Sequence, residues 1–322
     1  MTALKVFGIL LAVAIALLLL LELVLRFGFG FGNPPLYAGD DRIGYLLAPN
    51  QQLRRFGNRI RINQYAMRAD PIEPTPQPET FRLLLLGDSL ANGNWWTDQS
   101  DILSARIQHY LKPPAGYQKV EALNASANSW GPRNELAYLE RYGTFDAHVI
   151  VLLLNTDDLF GTQPTPLQVG RDRSYPDRKP ISAMAEIISY ALKKNQTIPG
   201  LEEIQKEGGD RVGKNLDAIA GIHQLVRDRQ FVLVLSPLKR ELPGPRDYEI
   251  AARQRLTDWA QANEVTYIDL LETYRAHEHS DSLYRDHIHL SPAGNELVAE
   301  IIAAAIAQPL NRNLGQRRQS HI

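Results

Sequence analysis

The run Arg82-Leu83-Leu84-Leu85-Leu86-Gly87-Asp88-Ser89-Leu90 constrains the fold more than any other stretch of the chain. Four leucines without a polar interruption, closed by Gly-Asp-Ser, suit a short strand buried on both faces. Two-sided burial belongs to parallel sheets covered by helices. Gly87 permits a sharp turn at the strand's end, and Asp88 and Ser89 then fall where a helix or loop begins. Open α/β sheets bind their ligands at the carboxyl ends of central strands. Ser89 therefore reads either as a reactive hydroxyl held at that edge or as the cap of the next segment. The run alone does not choose.

The same pattern recurs downstream. Residues 149–154 and 231–235 are equally apolar, and shorter strand-like pieces lie at 120–123 and 265–268. Helical spacing of apolar residues, or a helix-starting proline, marks 101–111, 132–142, 181–194, 212–227, 248–263 and 292–307. Strands alternating with helices predict a parallel sheet covered on both faces. Two pieces ahead of it, 43–47 and 59–62, predict a small β appendage. Four prolines between 70 and 79 forbid regular structure there and mark the boundary before the main body.

The first residues are of another kind. Between Lys5 and Arg26 the chain is almost wholly apolar, long enough to cross a bilayer as a helix through residues about 4–27. Glu22 sits near the far end, where a carboxylate can reach the interface. A cleaved signal peptide fits less well, because Phe27-Gly28-Phe29-Gly30-Phe31-Gly32 follows in place of a small-residue cleavage site. The resulting layout is an anchor over 1–27, a linker with the β appendage over 28–80, the main domain over 81–307 with an insertion at about 160–210, and a polar tail over 308–322. The charge difference across the anchor is small, and it predicts a main domain on the non-cytoplasmic side. A net charge of −1 with no basic block argues against nucleic acid. The absence of cysteine excludes disulfides, thiolate catalysis and cysteine-ligated metals. Nothing in the chain indicates a protein partner.

A second chemistry-bearing stretch is Asp286-His287-Ile288-His289-Leu290-Ser291-Pro292. An acid and a histidine three residues apart can share one tight turn, the acid fixing the ring tautomer while the other ring nitrogen faces a serine. Asp-x-x-His alone is common. Joined to an early strand ending in Gly-Asp-Ser-Leu, it resembles the SGNH (GDSL) hydrolase family, over roughly residues 81–307. The resemblance implies a flavodoxin-like three-layer α/β/α sandwich with a parallel sheet of about five strands. It also implies metal-free, cofactor-free hydrolysis or transfer of acyl groups, with Ser89 as nucleophile, His289 as general base and Asp286 as its orienting acid. The chemistry makes the same demand, since a serine hydroxyl needs a neighbouring base to attack a carbonyl near neutral pH.

The developing oxyanion also needs donors, each worth on the order of 3 kcal/mol. In the family these are the nucleophile's own N–H, that of a glycine after the second strand, and an asparagine amide after the third. Here the glycine position falls on Ser129, with Gly131 two residues later. Aligned on the family's Asn-Asp-Leu, the asparagine becomes Asp157, while Asn155 takes the usual glycine place. An ionised carboxylate beside an oxyanion opposes the reaction. Either Asp157 donates while protonated, or Asn155 supplies the amide from a shifted loop, or the domain is a catalytically silent binding module.

Weaker candidates are Asn92, Trp95 and Trp96, which follow the nucleophile and would line a pocket, although one tryptophan is expected in the core. His277, His279, His287 and His289 form a histidine-rich stretch without a clear third metal ligand, and no metal site is expected. Two glycosylation sequons begin at Asn124 and Asn195, and the first is expected to be buried. The expected function is an esterase acting on a small acyl ester, such as acetyl, of a cell-surface glycan or lipid. An O-acyltransferase using the same triad is the alternative.

Overall fold

The computed structural model describes residues 2–193 and 196–319. It opens with α1 (Thr2–Leu23), which continues as a π turn to Gly28. Two hairpins follow, β1 (Tyr37–Asp40) with β2 (Gly44–Leu47), and β3 (Gln51–Arg55) with β4 (Asn58–Ile62). The main body then runs β5 (Thr80–Gly87), α2 (Ser89–Asn92), α3 (Leu103–Tyr110), β6 (Lys119–Ser126), α4 (Pro132–Tyr142) and β7 (Val149–Asn155). It continues through α5 (Ala183–Leu192), α6 (Leu201–Gln205), α7 (Arg211–Leu225), β8 (Gln230–Ser236), α8 (Asp247–Ala262), β9 (Thr266–Asp269), α9 (Leu271–Ala276) and α10 (Pro292–Gln319).

The five body strands are parallel in the order β6-β5-β7-β8-β9. Strand order reverses between β5 and β7, which opens a crevice at their carboxyl ends. The leucine run divides by the two-residue period of a strand. Leu84 and Leu86 join Ile150, Leu152, Leu233 and the inner faces of α4, α7 and α8 in one core. Leu83 and Leu85 join Val151, Leu153, Val232 and α3, α9 and α10 in the other. The sheet is thus buried on both sides, as its unbroken apolar strands require.

The appendage contains four strands where the sequence showed two. β3 was hidden because alternate residues face solvent and only Leu53 is a buried hydrophobic. Both hairpins share the core of α4 and β7, through residues such as Ile43, Tyr45, Leu47 and Ile62. Side chains lock the appendage onto the body: Trp130 Nε1 donates to the Tyr45 carbonyl at 2.7 Å, Tyr45 Oη to that of Asn128 at 2.7 Å, and Asn134 Nδ2 to that of Ile43 at 2.7 Å. These bonds span the loop that carries Ser129.

Two sequence expectations need correction. Gly87 is not the turn; it is the last residue of β5, paired with Ser126 and Leu153. A Cβ there would lie 2.8 Å from the Leu153 carbonyl oxygen and 2.8 Å from Ala91 Cβ, so glycine is needed for the close approach of α2 to β7. The closing helix does not stop near residue 307 but continues to Gln319, through a stretch rich in the good helix formers Leu, Gln and Arg. The last residues of the expected polar tail, 320–322, and Asn195 of the second sequon lie outside the described residues. Asn124 is fully buried and donates to the Ala91 carbonyl at 2.7 Å.

Candidate active site

Ser89 opens the short helix α2 directly after β5. Asp88 caps that helix, its Oδ1 accepting from Leu90 N–H at 2.7 Å. Asp286 and His289 arrive from the turn before α10. Ser89 Oγ lies 3.0 Å from His289 Nε2, and His289 Nδ1 lies 2.8 Å from Asp286 Oδ2. Asp286 Oδ1 accepts from the N–H groups of Ile288 at 3.0 Å and His289 at 2.9 Å. Burial pulls the Asp286 carboxyl upward, but those N–H groups and the His289 ring outweigh it and hold the carboxyl below its usual range. An ionised Asp286 fixes the proton on Nδ1 and leaves Nε2 free to accept from the hydroxyl.

Of the four oxyanion candidates, the structure distinguishes the surroundings. Ser129 has a φ of 58°, in the left-handed region that favours glycine. Its N–H, like that of Ser89, makes no hydrogen bond among the described residues. Gly131 N–H is taken by Asn134 Oδ1 at 3.1 Å. Asn155 ends β7, and its amide donates to Asp88 Oδ2 at 2.9 Å and to Asp158 Oδ2 at 2.9 Å. Asp157, one residue pair on, is exposed and faces Arg240 at 3.5 Å. The loop that holds them is fixed by buried Arg253, whose guanidinium donates to Thr156 Oγ1 at 2.8 Å and Glu241 Oε2 at 2.7 Å.

Behind Ser89 lies a buried cluster of carboxyl groups that none of the motifs in the chain marks. Asp88 Oδ2 accepts from Ser89 Oγ at 3.3 Å, Asp158 shares the Asn155 amide, and Glu135 of α4 is fully buried with both carboxyl oxygens unpartnered. Burial pushes all three upward, Glu135 and Asp158 well above the usual carboxylate range, and the Asp88 charge adds to both. One signal was present: Glu135, Tyr138, Leu139 and Tyr142 fall at i, i+3, i+4 and i+7, the spacing of one inward helix face.

Glu135 sets a pH dependence. Above its unfolded value near 4.5, the folded state holds a proton that the unfolded state has lost. Stability therefore falls as pH rises, by up to about 1.4 kcal/mol per pH unit, until the folded carboxyl ionises. Glu135→Met is expected to be more stable than the natural chain, by a margin that grows between about pH 5 and about pH 8. Thermal unfolding at both pH values reads this, and an equal margin at both would show Glu135 charged in the fold.

Two clefts meet at Ser89 and His289. One, of about 670 Å³, runs along the insertion past Gln163, Gln168, Arg211 and Asn215. The other, of about 470 Å³, passes Asn92, Trp95 and Trp96 toward Arg55 and Tyr190. The Trp96 ring lies 4.8 Å from that of His289, whereas Trp95 also packs on Phe56 at 4.8 Å and on the core. Asn92 is buried, with its carbonyl accepting from Arg68 Nη1 at 2.6 Å. Tyr175 of the insertion donates to Ser129 Oγ at 3.1 Å, so the insertion borders the site. His277, His279 and His287 do not gather: among the described residues no three His, Asp or Glu side chains are placed to hold a metal.

Residues 85–297 match the model of the GDSL-like lipase/acylhydrolase family. No curated protein matches the chain. Similar solved structures include a lipase/acylhydrolase from Enterococcus faecalis, 17% identical, covering 70% of this chain and 94% of that one with a TM-score of 0.44. A member of the lipolytic G-D-S-L family from Veillonella parvula is 12% identical, covering 68% and 93% with a TM-score of 0.41. A family 3 carbohydrate esterase from Clostridium thermocellum is 13% identical, covering 72% and 98% with a TM-score of 0.41. The family match spans more than half of the chain, from β5 to the first turns of α10, and on it the protein belongs to the GDSL-like lipase/acylhydrolase family and is a hydrolase acting on esters.

Proposed function

We propose that Ser89, His289 and Asp286 are the catalytic triad of an esterase that removes small acyl groups, such as acetyl, from a cell-surface glycan or lipid. The observation that carries this reading is the unbroken chain of contacts from Asp286 through His289 to Ser89, at 2.8 and 3.0 Å. Ser89 Oγ attacks the ester carbonyl carbon while His289 Nε2 takes its proton. The carbonyl oxygen becomes an oxyanion facing the free N–H groups of Ser89 and Ser129. The ester C–O bond then breaks, His289 returns the proton to the departing alcohol, and an acyl-Ser89 ester remains. Water, deprotonated by His289 Nε2, attacks that ester; the bond from the acyl carbon to Ser89 Oγ then breaks, His289 returns the proton to Ser89 Oγ, and the free acid leaves.

Asn155 is the proposed side-chain donor from the third strand, reaching the oxyanion by giving up one of its two carboxyl partners. Asp157 has no such part. Asp157→Asn is expected to leave kcat within about three-fold of the natural value, since an exposed ion pair contributes little. A loss of a hundredfold or more would move the donor role to residue 157.

The glycan or lipid assignment rests on polar groups along the larger cleft and on α1. Residues 3–21 of α1 are exposed, and Ala3–Gly28 is the one helix among the described residues long and apolar enough to cross a membrane. In this reading residues 1–27 anchor the chain and the domain over 81–307 lies on the non-cytoplasmic side. The second cleft also favours acyl transfer as an alternative, because it leaves room at Ser89 for an acceptor hydroxyl other than water. Hydrolysis of a short-chain aryl ester by the full chain, followed with and without a sugar acceptor, tests both: acid release without acylated sugar is expected. Acylated sugar as main product would make it a transferase, and no turnover at all would remove the triad reading.

A further inference from the structure

α5 turns apolar side chains outward. Ile187, Ile188 and Leu192 are exposed, and Ile181 just before the helix is 96% exposed. A helix facing water hides such residues, and a contiguous exposed apolar face marks something that covers it. The contacts that hold α5 indicate the cover. The N–H groups of Ala183 and Met184 donate to the Glu22 carboxylate of α1 at 2.8 and 3.1 Å. Glu186 of α5 pairs with Arg55 at 2.7 Å and accepts from Gly32 N–H. α5 is therefore pinned where α1 ends.

The same rim carries exposed Phe27, Phe29 and Phe56, with exposed Arg178 and Lys179 ahead of α5. Apolar and aromatic residues beside basic ones are the composition of a helix lying in a headgroup layer. The smaller cleft starts at Ser89 and His289 and ends at Glu186 and Tyr190, on this helix.

We propose that α5 lies in the headgroup layer of the bilayer that holds α1, and that the smaller cleft takes acyl esters carried on a bilayer lipid. The inference rests on the anchor and triad readings above. The chain has no cysteine, so Ile188→Cys can carry a single environment-sensitive dye, with exposed Ile250 of α8 as the control position. In proteoliposomes of phosphatidylcholine and phosphatidylglycerol with brominated acyl chains, the dye at 188 is expected to lose more than half its emission, and that at 250 none. Equal quenching at both positions overturns the placement.

Ile188→Glu is expected to slow hydrolysis of a vesicle-embedded fluorogenic acyl lipid several-fold, leaving a water-soluble aryl ester unaffected. An unchanged rate on the embedded lipid overturns the route. Protein that does not float with the vesicles overturns the anchor reading and this inference together. Floating protein inactive on both esters overturns the triad reading and the route, while quenching still decides the placement.

Discussion

Ser89→Ala is expected to lower ester hydrolysis by about 10⁴- to 10⁶-fold, the range found when a triad serine is removed from a serine hydrolase. The reason is local. Among the described residues Ser89 Oγ is hydrogen-bonded only to His289 Nε2 and Asp88 Oδ2, and without it the base has no hydroxyl to activate. Residual turnover would come from water attack beside the remaining donors. His289→Ala is expected to cost about as much, and the double variant little more, because base and nucleophile act as one unit. Stability should move little, since a small side chain is replaced by a smaller one at a helix start whose cap, Asp88 to Leu90, is untouched. A Ser89→Ala protein that keeps most of its activity would place the nucleophile elsewhere.

Asn155→Ala is expected to damage both chemistry and fold. In the resting structure the amide bridges two buried carboxyl groups, Asp88 and Asp158, with both of its N–H groups. Removing it strips the amide from between those groups, leaving Asp158 Oδ2 only the backbone N–H of residue 155 at 2.8 Å, a loss of about 2–4 kcal/mol. It also removes the proposed side-chain oxyanion donor, with an expected cost of about 10²- to 10³-fold in kcat. The two effects separate experimentally. Urea unfolding reads the first and kcat on folded protein the second. A variant that is destabilised but turns over normally would make Asn155 a structural bridge only, with the oxyanion held by backbone N–H groups alone.

The sheet was legible in the sequence, and so were the three residues of the proposed triad, because each depends on local pattern. Unbroken apolar runs at Leu83–Leu86 and 149–154 can be satisfied only by burial on both faces, and Asp286 and His289 share one turn. What stayed hidden depends on pairings across the chain. The donor choice between Asn155 and Asp157 turns on which groups meet the loop after β7: the carboxyls of Asp88 and Asp158 take the Asn155 amide, and the Arg240 guanidinium faces Asp157. Strand β3 was masked by its solvent-facing Gln52 and Arg54, and it is paired to β4 rather than to the main sheet. The role of Gly87 was misread for a similar reason. Its constraint comes from Leu153, a strand away in space and more than sixty residues along the chain.

The central claim, a Ser89 hydroxyl activated by His289, is tested most directly by treating the folded full chain with a fluorophosphonate and locating the adduct by mass spectrometry. The account predicts a single phosphonylated residue, Ser89, with labelling lost in His289→Ala and strongly slowed in Asp286→Asn. Labelling at another serine, or equal labelling of Ser89 with His289 removed, would contradict it.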